Sequence, residues 1–156
     1  MKAISRTRKM KPNPDYEPCT VLEGEELFPN GIFVFNISRI IEDILNKQLV
    51  VEEEDINVED WLRNHCSGSG SVDESHMPAV DTSIPIIVAE IRPGMFNVID
   101  GHHRMEKAHR EKKVSIHAYK LRGEHLLPYF IEKKGYLSFI NYWNEKLKLY
   151  GPEGYL

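Results

Sequence analysis

The stretch 84-IPIIVAEIRPGMFNVIDGHHRMEKAHREKK-113 decides the fold. Ile86 to Ile91 and Phe96 to Asp100 are short, apolar and β-branched, which reads as two strands. Between them, Arg92-Pro93-Gly94-Met95 has proline and glycine where a type II turn needs them. The spacing therefore predicts a β-hairpin ending at Asp100. A helix follows at once over His102 to Lys112, with a thin apolar stripe at Met105 and Ala108. An acid, a glycine, two histidines and an arginine thus fall on one strand-to-helix junction.

Working outward, Val114 to Leu121 alternates loosely enough to be another strand, and Leu137, Ile140, Trp143, Leu147 and Tyr150 recur on one helical face. Upstream, Asn30-Gly31 punctuates the apolar run Ile32 to Ile37, which reads as a buried strand. Ser38 is placed to cap a helix carrying Ile40, Ile41, Ile44 and Leu45. Asn57, three residues before Asp60, is placed to cap a short helix carrying Val58, Trp61 and Leu62. Residues 66–83 are Ser/Gly-rich and polar, a loop. Residues 1–18 combine basic residues with Pro12, Pro14 and Pro18, a flexible arm. The expected class is α+β, with a small mixed sheet, helices packed around it and a C-terminal helix. The expected organisation is that arm followed by a single domain over 19–156.

At 156 residues the chain is long enough to bury a core. No apolar run approaches the roughly 18–20 residues that span a bilayer, and no secretory leader follows the basic start, so no membrane partner is expected. Cys19 and Cys66 form no disulfide framework, which points to a cytoplasmic setting. The net charge of −4 is unevenly spread. Residues 31–100 carry four basic and thirteen acidic side chains, whereas residues 101–156 carry eleven basic and six acidic. A broad nucleic-acid surface is not favoured. Positive charge that begins at the junction suits a small anionic ligand better.

The junction supplies such a site. Gly101 permits a sharp turn, the first N–H groups of the helix face outward, and the helix dipole favours an anion. Arg104 adds a fork matched to phosphate oxygens, and His102 and His103 add donors. Asp100 needs a different reason, such as holding Mg²⁺ or accepting a proton from an attacking hydroxyl. Two plainer roles stay open, a helix cap for Asp100 and solvated positions for the histidines. A metal reading also stays open: His102, Glu106 and His109 share a helical face, with His65, His117 or His125 as a distant fourth ligand.

Residues 84–121, and more weakly 31–45, resemble the ParB/sulfiredoxin superfamily. The shared pattern is an apolar strand around "PIIV", a turn, a second strand, a Gly-x-x-Arg loop opening a helix, and a strand of the type "VSIHAYKL". The resemblance implies a compact ParB-like domain in which 46–83 is an insertion and 124–156 a helical extension. It also implies a nucleotide with its phosphates on Gly101, His102, His103 and Arg104. Sulfiredoxins carry a catalytic cysteine where this chain has His102, so sulfinic acid reduction is not expected. Chromosome-partition members read Gly-Glu-Arg-Arg and continue into a DNA-binding domain. Here His102 replaces the glutamate, and about 35 residues follow Leu121. Asp-Gly-His-His-Arg is most similar to the branch with free serine kinases, which implies ATP or another nucleotide with Mg²⁺, an acceptor of unknown identity, and Asp100 assisting phosphoryl transfer. That branch also uses a glutamate after the first strand, for which Glu42 stands nearest, with Asp43 beside it.

Three functions are therefore carried forward. The first is a nucleotide-dependent phosphoryl transferase or hydrolase. The second is a DNA-binding protein or nuclease using Arg110, Lys112, Lys113, Lys120 and Arg122. The third is a non-catalytic module that binds a protein through 46–83 or through Tyr136, Phe139, Tyr142 and Trp143.

Overall fold

The computed structural model describes residues 7–65 and 73–151, and its architecture is α+β. Among these residues, strands β1 (Leu27–Asn30) and β2 (Phe33–Asn36) pair as an antiparallel hairpin. Strands β3 (Glu52–Asn57), β4 (Ile86–Arg92), β5 (Met95–Asp100) and β6 (Ser115–Leu121) form a sheet in the order β3-β6-β4-β5. The helices are α1 (Ile37–Leu45), α2 (Val58–Asn64), α3 (His102–Arg110) and α4 (Lys133–Tyr150). Two 3₁₀ segments, Met77–Ala79 and Gly123–Tyr129, complete the described elements. No described helix is long and apolar enough to cross a membrane.

The chain divides into two compact units, with its crossings at the start of β3, inside β4, inside β5 and at the end of β6. The first unit comprises Met1–Val51, Ala89–Asn97 and Leu121–Leu156. Its centre is aromatic: Phe35 lies against Phe130 at 5.7 Å, Phe130 against Phe139 at 5.1 Å, and Phe139 against Trp143 at 6.0 Å between ring centroids. Phe35, Phe130 and Phe139 are essentially without solvent exposure, and large aromatic rings contribute strongly to the burial energy of a core. The cap of α1 is Asn36, whose side chain accepts the Arg39 N–H, and not Ser38, because the helix starts two residues earlier than a Ser38 cap implies.

The segment expected as a flexible arm is packed over its described part. Met10 is buried and its backbone bonds Asn144 in both directions. Tyr16 stacks on Tyr136 with centroids 3.7 Å apart, and its hydroxyl donates to the Phe130 carbonyl. The apolar face of α4 is also rotated from the expected one. Tyr136, Phe139, Ile140 and Trp143 are buried, while Leu137 and Tyr150 are exposed. Residue 136 takes the inward position because its ring has Tyr16 to meet.

The second unit comprises Glu52–Val88 and Val98–Lys120. Here α2 packs on α3, and Asn57 caps α2 by accepting the Asp60 N–H at 2.9 Å, as its spacing indicates. The acidic run Glu52–Asp55, which has little intrinsic strand preference, forms β3 because β6 supplies opposite charge. Lys120 Nζ lies 3.2 Å from Glu54, and His117 sits opposite Asp55. The hairpin β4–β5 forms as the sequence predicts, and Gly94 has the positive φ of 77° that the third position of a type II turn requires.

Candidate functional site

The chain leaves β5 at Asp100, turns at Gly101 and enters α3. Gly101 is the N-cap residue, with φ 105° and ψ 24°, and no side chain caps the helix. Asp100 therefore does not cap α3. Two constraints require glycine here. The backbone is left-handed, and a Cβ would fall 2.6 Å from Ile86 Cγ2 and 3.0 Å from Arg104 Nε. The missing side chain is the space into which Arg104 folds.

Arg104 Nη2 donates to Asp100 Oδ2 at 2.7 Å, and the side chains are only 17% and 21% exposed. Its Nε is buried and, among the described residues, has no hydrogen-bond partner. A guanidinium fixed by a carboxylate, with one N–H left over beside an uncapped helix start, is a site with donor capacity to give to an anion.

The two histidines differ. His102 is half-buried, and that burial, with His103 second, pushes its imidazole below the ordinary value against the opposing pull of Asp100. It stays neutral near pH 7. His103 Nε2 accepts the Asp73 N–H at 3.0 Å, so that nitrogen is engaged within the protein. The structure thus brings Asp100, Gly101, His102, His103 and Arg104 together.

Glu42 belongs to the first unit, whereas Asp100 belongs to the second. Glu42 is 60% exposed on α1, 3.9 Å from Arg39 Nε, in the manner of a solvated helix charge. Its neighbour Asp43 accepts the Tyr129 hydroxyl at 2.7 Å.

Among the described residues, no three His, Cys, Asp or Glu side chains group as a metal site. The histidines weighed for a distant ligand have other engagements. His117 places one nitrogen 2.7 Å from Asp55 and the other 2.8 Å from Glu53. His65 stacks on Trp61, and His125 Nδ1 accepts the Arg122 N–H. Mg²⁺ in nucleotide sites takes one or two carboxylates and completes its shell with phosphate and water. Asp100 alone fits such an ion and does not fit a resident one.

Three of the five cations weighed for DNA are engaged internally. Arg110 forms a two-pronged pair with Glu74, Lys120 meets Glu54, and the Arg122 guanidinium lies over the Phe96 ring at 5.3 Å. Of the aromatics weighed as a partner surface, Tyr136, Phe139 and Trp143 are core. The part of the 46–83 insertion at residues 66–72 lies outside the described residues.

Sequence reasoning missed Glu90. It sits in the apolar strand β4 with no solvent exposure, and its carboxylate accepts from the Thr7 hydroxyl, the Gly94 N–H at 2.8 Å and the Gly123 N–H at 3.1 Å. A charge inside an otherwise apolar run was the available signal. No family model, curated protein or solved structure matches this chain.

Proposed function

We propose that the Asp100–Arg104 junction binds the phosphates of a nucleotide, ATP or ADP first among them, and that the protein catalyses phosphoryl transfer or nucleotide hydrolysis. The observation that carries the reading is the uncapped start of α3 behind Gly101, with the Arg104 guanidinium folded into the space a side chain would fill. First-turn N–H groups and Arg104 take phosphate oxygens, and the charge that develops during transfer falls on donors already in position. In this reading Asp100 orients Arg104 and accepts a proton from an acceptor hydroxyl. Asp100 is the residue that would hold a Mg²⁺ bound with the nucleotide, and such an ion would supply charge neutralisation at the phosphates. The choice of ATP rests on the resemblance to the kinase branch. The DNA-acting reading has less support, since three of its five cations face internal partners.

The test is a thermal-shift screen of ATP, ADP, CTP and GTP, with and without Mg²⁺. A nucleotide present at about one hundred times its Kd stabilises the fold by about 2.7 kcal/mol. One nucleotide should raise Tm in the wild type and not in Arg104→Ala. No rise with any of the four at millimolar concentration removes the reading.

A further inference from the structure

Residues 73–80 are fastened along α3 by three of its side chains. His103 Nε2 accepts the Asp73 N–H at 3.0 Å. Lys107 Nζ donates to the Val80 carbonyl at 2.7 Å and the Pro78 carbonyl at 3.3 Å. Arg110 grips Glu74 with two nitrogens at 2.8 and 2.7 Å. Positions 103, 107 and 110 follow one another along a single helical face. Met77, in the middle of the segment, is buried.

This fastening opposes an anion at the start of the helix in two ways. It carries two carboxylates onto α3. Asp73 is held ionised mainly by the Ser75 hydroxyl and amide, and Glu74 is held ionised by Arg110. It also engages the donors of α3. The His103 nitrogen that accepts from Asp73 carries no proton, so the ring cannot be the doubly protonated donor that a phosphate favours. Arg110 and Lys107 are likewise turned to the segment.

We propose that residues 73–80 are an autoinhibitory strap whose closure along α3 competes with a phosphate-bearing ligand at Gly101–Arg104. The inference rests on the phosphate-site reading above. Release of the strap removes two negative charges from the helix and returns His103, Lys107 and Arg110 to solvent, where they add to the attraction.

The test uses Lys107→Met in the full chain. Loss of a cation by itself weakens anion binding, whereas loosening of the strap strengthens it, so the two causes give opposite signs. Hydrogen–deuterium exchange read by mass spectrometry should show residues 73–81 protected in the wild type and exchanging at least tenfold faster in the variant, with α4 unchanged. Calorimetric titration with ATP should then show a Kd lowered three- to tenfold in Lys107→Met. The double variant Glu74→Arg/Arg110→Glu keeps the net charge and reverses the pair, and it should retain both the protection and the wild-type Kd. An unprotected strap in the wild type, or a loosened strap with unchanged or weaker ATP binding, overturns the proposal. ATP binding to the wild type without a gain in the variant discards the strap alone. No ATP binding to either protein discards the phosphate site and the strap's role together.

Discussion

Arg104 Nη2 and Asp100 Oδ2 lie 2.7 Å apart, one on the first turn of α3 and the other on the last residue of β5, with the left-handed Gly101 between them. The pair closes the junction across five residues. It is mostly shielded from water, so it is screened less than a surface ion pair.

Replacing Asp100 with Asn should therefore act on two levels. The mostly shielded guanidinium loses its counter-charge, at a cost of about 1–2 kcal/mol in urea unfolding, less than for a fully buried pair. ATP affinity should stay within several-fold of wild type while ADP release falls to background. Unaltered turnover in Asp100→Asn removes Asp100 from the chemistry.

Gly101→Ala should be worse for stability than its single added carbon implies. The backbone conformation costs about 1–3 kcal/mol for a residue with a Cβ, and the new atom meets both Ile86 and Arg104. Unfolding free energy should drop by at least about 2 kcal/mol, and Arg104 must leave its place. A variant as stable as the wild type contradicts the geometry of the junction.

Glu90 makes a prediction for the first unit alone. Its carboxylate satisfies three donors and has no solvent exposure. Glu90→Leu strands all three and should cost about 3 kcal/mol, whereas Glu90→Gln keeps one acceptor oxygen and should cost about half as much. Denaturant melts of the two variants give the ordering. A Leu variant more stable than the Gln variant refutes it.

His117 sets a pH dependence of known sign. Glu53 and Asp55 hydrogen-bond its two nitrogens and raise its pKa above the ordinary value. The stabilisation is complete below the ordinary histidine value of about 6.5 and is lost as pH rises through the raised value. Because the ring is 41% exposed, the effect is screened to within about 1 kcal/mol. His102, with its pKa lowered, has the opposite sign. The His117 part is therefore read as the difference between wild type and His117→Asn across pH 5.5–8.5. The wild type should lose its advantage at the alkaline end, and a constant difference disproves the clamp.

The parts of this fold that were legible in the sequence have their causes close along the chain. Pro93-Gly94 makes the hairpin turn, Gly101 breaks strand from helix, and Asn57 caps a helix three residues away. What stayed hidden depends on residues far along the chain. The acidic strand β3 exists because Lys120 and His117 face it from β6. Glu90 is buried because Thr7 and Gly123 donate to it from distant segments. The site shows the same division: Asp100 to Arg104 came from one contiguous motif, and the contact of His103 with Asp73 crosses 30 residues.

The acidic strand β3 also disfavours edge-to-edge pairing between copies of this protein. It ends the four-stranded sheet, and such an end is where a neighbouring chain can add a strand of its own. Two copies approaching through β3 would bring Glu52, Glu53, Glu54 and Asp55 against the same four acids. Like charges directly across a strand pair repel. The row that made this segment hard to read as a strand therefore keeps it from stacking on itself.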